Sequence, residues 1–310
     1  MAELSIVIPV MNEEKNVGPL HRRLTEVIRP LKLDYEILFV DDGSTDHTFD
    51  ELKLVHAKDK RVKVIQFRKN FEKAVALIVG LKEAKGDYII TMDGDLQDNP
   101  DEVPRLIEKI KHDNLDLVVG WKYKRKDPMA KIIASRLFNG LVRMMTKARI
   151  HDVDCNFRIM KKEVAEEINF YGGLYRYIPV LAQAKGFKVG EIKVEHQERK
   201  FGKSKYGFGR LFKGFLDLFT MKFITTYTKR PMHLFGSLGI LFTGAGTLIS
   251  LYLLALWLQH NIIGNRPLLL LGILLIVLGI QFFSLGLLGE LIISSNSDKN
   301  VQYSVKSYLK

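Results

Sequence analysis

Apolar and polar positions follow two regimes along this chain. Through residue 119, apolar runs of strand length alternate with stretches whose apolar positions recur at helical spacing. Runs at 4–10, 35–40, 62–67, 87–92 and 115–119 read as strands, and 13–28, 71–84 and 100–111 read as helices. After the second strand, Asp41-Asp42-Gly43-Ser44 stops the run, and Thr45 or Asp46 is placed to cap a helix. Regular alternation of strand and helix predicts an α/β fold with a mixed, mostly parallel sheet covered on both faces. After Gly120 the pattern loosens. A long basic amphipathic helix is predicted over 128–146, a strand over 157–160, a helix over 174–184 and a strand over 187–196, followed by a basic, glycine-containing loop at 197–207.

The second regime begins near residue 208. Phe208, Leu211, Phe212, Phe215, Leu216 and Phe219 share one helical face, with Arg210, Lys213 and Lys222 elsewhere, the pattern of a helix lying in a membrane interface. Packing of that face against the catalytic body is the competing reading. The stretch 234–258 then carries no charged side chain, and 268–293 carries only Glu290. Each exceeds the ~20 residues a helix needs to cross a bilayer core. The expected organisation is a catalytic domain at 1–207, an interfacial helix at 208–230, two transmembrane helices within 231–295 and a tail at 296–310.

Charge changes the picture in one respect. The 310 residues carry a formal net charge of +12, with Lys and Arg concentrated at 122–149 and 188–230. The second cluster abuts the first apolar stretch, so anionic lipid is a better partner than nucleic acid. Lys229 and Arg230 precede that stretch, Lys299, Lys306 and Lys310 follow the second, and Arg266 is the sole basic residue between them apart from a histidine. The positive-inside rule then puts the catalytic domain and both termini on the cytoplasmic side of the cell membrane. The first ten residues lack a basic leader and a long apolar core, so they read as a strand and not as a signal peptide. Cys155 is the single cysteine, which leaves no disulfide framework or zinc cluster.

Ligands of an open parallel sheet bind beyond the carboxyl ends of its strands. Loops at 9–14, 41–44 and 93–97 leave such ends with acids or turn formers. Asp93-Gly94-Asp95 is the sharpest, because two carboxylates flanking a glycine can hold Mg²⁺ or Mn²⁺ against a diphosphate, with Gln97 adding a neutral oxygen. The triplet alone is weak, since Asp152-Val153-Asp154 repeats it. Its weight comes from following an apolar strand and preceding a helix that starts with proline. Gly202-Lys203-Ser204 lacks the upstream glycine of a P-loop, and no G-x-G-x-x-G follows the first strand. His47, His56 and His112 stand alone on predicted helices and read as surface residues.

Taken in order, Ile8-Pro9-Val10-Met11-Asn12-Glu13-Glu14, Val40-Asp41-Asp42-Gly43-Ser44-Thr45-Asp46 and Asp93-Gly94-Asp95-Leu96-Gln97 resemble family 2 glycosyltransferases of the GT-A fold. Lys131 and Ser135, Phe157-Arg158, and Arg199-Lys200-Phe201-Gly202-Lys203-Ser204-Lys205-Tyr206 resemble the polyprenyl-phosphate branch related to dolichol-phosphate mannose synthase. The resemblance implies that Pro9, Met11, Glu13, Val40 and Asp42 line the base and ribose pocket. It puts Asp93 and Gly94 at ribose and diphosphate, Asp95 and Gln97 on Mg²⁺ or Mn²⁺ with Asp93 as a further ligand, and Arg199 and Lys205 over the diphosphate. Lys122, Lys131 and Ser135 would hold the lipid phosphate. Two departures stand out. Some relatives place an aspartate, proposed as a base, directly before Phe-Arg; here Asn156 stands there, with Asp152 and Asp154 upstream. Lysine also occupies 122 and 131, where relatives often carry arginine, giving up the bidentate fork but keeping the charge.

The expected activity is inverting transfer of one hexose from a nucleotide-diphosphate sugar, of UDP-glucose or GDP-mannose type, to undecaprenyl or dolichyl phosphate. Asp95 and Arg199 are the expected catalytic groups, with Asp152 or Asp154 orienting acceptor or sugar. A processive polysaccharide synthase is disfavoured because no Gln-x-x-Arg-Trp is present. A tethered nucleotide-sugar-binding scaffold is the non-enzymatic alternative. Homo-oligomerisation through the apolar hairpin stays open, although it contains no GxxxG.

Overall fold

A computed structural model describes residues 2–123, 129–146, 150–197, 209–227, 230–259 and 267–296. The chain divides into two compact units, the first running to Met221 and the second beginning at Lys222.

The first unit is built on a seven-stranded sheet of β1 (Leu4–Val10), β2 (Tyr35–Asp41), β3 (Val62–Gln66), β4 (Tyr88–Thr91), β5 (Leu117–Lys122), β6 (Arg158–Lys161) and β7 (Val189–Val194), in the order β3-β2-β1-β4-β6-β5-β7. β2 is buried along its whole length, as a central parallel strand covered on both faces must be. β1, β2, β3 and β4 are mutually parallel where they pair, and β5 is parallel to β7. β6 runs antiparallel between β4 and β5, with Thr91 opposite Arg158. This reversal brings the start of β6 against the carboxyl end of β4, which is where the acidic loop leaves.

Helices cover the sheet because their apolar residues recur on one face. On α1 (Glu14–Ile28), Val17, Leu20, Leu24 and Ile28 are buried, and on α4 (Val103–His112), Val103, Leu106, Ile107 and Ile110 are buried. Between them in sequence lie α2 (Thr48–Lys58) and α3 (Lys73–Glu83). Asp46, not Thr45, serves the start of α2, accepting the Thr48 N–H at 3.0 Å. The segment from Pro100 to Glu102 is a 3₁₀ turn before α4, and Gly172–Tyr177 is another before α7 (Ile178–Ala184), so both predicted helices begin later than expected. α5 (Met129–Thr146) precedes β6, and a short α6 (Lys162–Glu167), not anticipated from the pattern, follows it.

α8 (Gly209–Thr226) buries Gly214, Leu218 and Met221 and leaves Leu216 and Phe219 half exposed. Its apolar residues thus serve both the body and the outside. Within the second unit, α9 (Pro231–Leu258) and α10 (Pro267–Asn296) pair as a hairpin. Both are long and apolar enough to cross a membrane. Their backbones touch: a Cβ on Gly239 would lie 2.8 Å from the Gly279 carbonyl oxygen, and one on Gly246 would lie 2.6 Å from that of Gly272. Small residues allow this approach. Glu290 Oε1 accepts the Met232 N–H at 3.4 Å, placing the hairpin's acid at the positive end of α9.

Candidate active site

Carboxylates and polar loops gather where β1, β2 and β4 end. Four residues there take left-handed backbone angles: Asn12 after β1, Gly43 after β2, Glu72 before α3 and Leu96 after β4. For the three side chains that are not glycine this conformation carries strain, and such strain concentrates where a site over-determines the backbone. Gly43 has a second reason. A Cβ there would stand 2.4 Å from the Lys69 carbonyl carbon, so the β2 loop and the 67–72 loop fit only with glycine between them.

The first two loops lock together. The Asn12 N–H donates to Ser44 Oγ at 2.9 Å, Asn12 Oδ1 accepts the Thr45 N–H at 2.8 Å, and the Glu13 N–H donates to Thr48 Oγ1 at 2.8 Å. Asp42 Oδ1 accepts the Phe71 N–H at 2.7 Å. Burial pushes the Asp42 carboxyl above its usual range, helped by Asp41 and Glu72 and opposed by the Phe71 N–H. Beside it, Asn70 Nδ2 lies 2.8 Å from Met11 Sδ and the Phe71 ring is partly exposed. Met11, Asn70 and Phe71 thus cluster beside an acceptor carboxylate, a mix of apolar and polar groups that could take a flat polar ring. Pro9 and Glu13 are half-buried on the same edge. Val40 differs from expectation: its side chain is wholly buried, facing Gly80 of α3, so at the strand end it offers only backbone.

The acidic loop after β4 packs tightly on β1, since a Cβ on Gly94 would come within 2.7 Å of Val10 Cγ1. Asp93 Oδ1 accepts from Lys73 Nζ and, at 2.8 Å, from Asn156 Nδ2. Burial opposes ionisation of Asp93, but the ammonium groups of Lys73 and Lys122 and the Asn156 amide outweigh it and hold the carboxyl down at about 2. Asp95, buried, accepts the Gln97 N–H on Oδ1 at 3.1 Å. The Gln97 carbonyl accepts the Gln197 N–H at 3.0 Å, and Arg23 donates to Gln197 Oε1 at 3.2 Å and Asn99 Oδ1 at 2.9 Å. The chain thus enters the 198–208 stretch from a point stitched to the acidic loop. Arg199 and Lys205 lie in that stretch, outside the described residues.

Lys122, expected on the lipid phosphate, is paired with a buried acid. Its Nζ sits 2.9 Å from Asp98 Oδ1, and its side chain is 14% exposed. Burial alone would lower this ammonium; Asp98 and Asp93 raise it well above its usual value. Asp98, 1% exposed, also accepts the Asp93 N–H on Oδ2 at 3.0 Å. One buried carboxylate therefore ties the acidic loop to β5. The sequence pattern gave no reason to single out Asp98, one residue beyond the 93–97 loop. Lys73 fell inside the helix expected over 71–84 and was not singled out there; the observed helix begins with it.

On the opposite side of Asp93, Asn156 Oδ1 accepts from Arg158 at 3.4 Å and the Asn156 carbonyl accepts Thr91 Oγ1–H at 2.6 Å. Arg158 is fully buried, and burial lowers its pKa. Asp152 is buried and accepts the Lys122 N–H at 3.4 Å; Asp154 lies 3.3 Å from Arg176 Nε. The Val153 N–H donates to Asn139 Oδ1 at 3.2 Å, and Asn139 Nδ2 reaches Ser135 Oγ at 3.4 Å, so Ser135 borders the 152–156 loop through Asn139. Lys131 is on α5, its side chain outside the described residues.

The donor set suits a hard divalent cation. Asp93, Asp95 and Gln97 present oxygen atoms from one turn, and Mg²⁺ is usually held by one or two carboxylates with phosphate oxygens and water completing its shell. Among the described residues no group of three or more His, Cys, Asp or Glu forms a self-sufficient cage.

Comparison with known proteins gives three findings. The model of glycosyl transferase family 2 matches residues 5–169. The dodecaprenyl-phosphate galacturonate synthase of Rhizobium johnstonii is 36% identical over 298 residues, covering 94% of this chain and 87% of its own. Among solved structures, glucosyl-3-phosphoglycerate synthase of Mycobacterium tuberculosis, in complex with Mn²⁺, UDP-glucose and phosphoglyceric acid, superposes with a TM-score of 0.55 at 17% identity, over 71% of this chain and 80% of that one. The same enzyme with phosphoglyceric acid alone gives 0.54 at 17% identity, over 72% and 80%.

Proposed function

The chain belongs to glycosyl transferase family 2, and from that premise we propose that it moves one sugar, with inversion at C1, from a nucleotide-diphosphate sugar to a polyprenyl phosphate at a membrane. The observation that carries the acceptor class is the extent of the Rhizobium relative. Covering 94% of the chain, it matches beyond the family domain and through most of the apolar hairpin, and its name specifies a polyprenyl phosphate. The donor stays open to UDP-glucose, GDP-mannose and, from that name, a nucleotide-linked galacturonate.

The residues divide the work by position. Met11, Asn70, Phe71 and Asp42 receive the base, with Pro9 and Glu13 beside them. Asp93 and Gly94 face ribose and diphosphate. Asp95 and Gln97, with Asp93 as a further ligand, would hold a Mg²⁺ or Mn²⁺, which when bound supplies positive charge against the departing diphosphate. Arg199 and Lys205 add cations to the same group. Ser135 and Lys131 take the acceptor phosphate, with Asp152 and Asp154 shaping the loop beside it. Lys122 contributes by fixing Asp98, not by meeting the lipid.

Reactivity needs little from the protein beyond alignment. The second pKa of a phosphate monoester lies near ~6, so the acceptor is already a dianion at neutral pH. A phosphate oxygen forms the new bond to C1 while the C1–O bond to the diphosphate breaks, and no proton must be removed. An amide at 156 is compatible with this chemistry, since Asn156 serves by holding Asp93. What the site must supply is orientation and positive charge to bring two anions together.

Purified membranes given labelled nucleotide sugars, Mg²⁺ and polyprenyl phosphate are expected to form labelled lipid, and Asp95→Ala is expected to abolish this while the protein stays folded. Wild-type rates in Asp95→Ala, or label transfer unaffected by chelator, would refute the metal assignment.

A further inference from the structure

Lys73 opens α3 beside the acidic loop. Its ammonium meets Asp93 Oδ1 and lies 5.5 Å from the centre of the Tyr175 ring. With 32% of its side chain exposed, against 14% for Lys122, it is the more accessible of the two lysines beside Asp93. The residue before it, Glu72, has φ +75°, so a strained turn delivers Lys73 to this place. The first N–H groups of α3 add positive potential there. Asp93 Oδ1 thus takes two donors at once, the lysine and Asn156.

A divalent cation approaching Asp93 meets a positive charge already on its ligand oxygen, and like charges at such range repel strongly. A nucleoside diphosphate changes the balance, because its oxygens accept from an ammonium as well as a carboxylate does. We propose that Lys73 and the divalent cation compete for Asp93, and that the donor's diphosphate settles the competition by drawing Lys73 onto itself, so that cation binding depends on nucleotide. This rests on the metal-assisted transfer proposed above. Lys73 is then both a positioning residue for Asp93 and a contact to the diphosphate.

The test is a Mn²⁺ titration of the full-length protein in detergent, read from the paramagnetic resonance of free Mn²⁺, alone and with uridine or guanosine diphosphate. Wild type is expected to bind Mn²⁺ roughly tenfold or more tightly with the matching nucleotide than without. Lys73→Met is expected to bind Mn²⁺ alone roughly tenfold more tightly than wild type and to lose most of the nucleotide enhancement. Lys73→Arg should keep the wild-type pattern. Lys73→Gln, neutral but still a donor to Asp93, guards against a folding defect in the methionine variant. Mn²⁺ affinities without nucleotide that agree within about twofold among wild type and folded neutral variants overturn the competition. No Mn²⁺ binding to wild type even with nucleotide overturns the metal reading itself, and the proposal with it.

Discussion

Asp98 shows how a single side chain organises this site. It receives the Asp93 N–H on one oxygen and pairs with Lys122 on the other, and it is almost wholly buried. Removing one member of a buried pair leaves the other charge uncompensated, which costs far more than the pair contributes. Asp98→Ala is therefore expected to destabilise the folded protein by about 3 kcal/mol, read as a lowered denaturation midpoint in detergent. A midpoint within error of wild type would mean that Lys122 reaches solvent or another acid. The acids at strand ends, Asp42, Asp93 and Asp95, were legible because a carboxylate following an apolar run has a place as soon as the run is read as a strand. Lys73, Asp98 and Arg176 were not, since each is defined by a partner distant in sequence or hidden in an ordinary helix-start pattern. Lys122 was visible as a cation, yet its direction is set by Asp98, which one strand's pattern cannot reveal. Val40, placed in the base pocket by the resemblance, has a buried side chain near Gly80, a direction that an unbroken apolar run does not reveal.

At the scale of elements, strand existence followed from apolar runs, while ends and neighbours depended on tertiary contact. Five strands before Gly120 and the long helices were readable because each run is bounded by Gly, Pro or acids. The segment at 158–161 was readable as a strand, but its antiparallel place between β4 and β5 was not, since four residues carry no information about direction. That placement matters most for chemistry, because it carries Asn156 and Arg158 to Asp93. The 3₁₀ turns at Pro100 and Gly172 shifted two helix starts, such turns being frequent at helix N-termini. On α8 the sequence pattern named one apolar face, of which Leu216 and Phe219 are exposed, while Leu218 and Met221, outside that face, are buried and were not singled out.

At the scale of the whole molecule, the proposed sugar-nucleotide site precedes in sequence an apolar hairpin whose charge flanks predict a cytoplasmic catalytic unit. The native thiol makes this orientation testable. Cys155 is 1% exposed, and burial pushes its pKa up to about 12, so it reacts poorly with thiol reagents. A cysteine introduced at position 261, between the two apolar helices, is expected to label with an impermeant maleimide from outside intact cells, and one at position 300 only after permeabilisation. The reverse pattern would invert the topology. The central claim concerns the acceptor, and the most direct measurement compares polyprenyl phosphate with the corresponding alcohol. Full-length protein is supplied with a panel of nucleotide sugars and either lipid, and the organic extract is weighed by mass spectrometry. A sugar-phosphoryl-polyprenol, formed one for one with released nucleoside diphosphate and only from the phosphate, is the expected product; sugar transfer to the alcohol, or nucleotide release at the same rate with no lipid present, would contradict it.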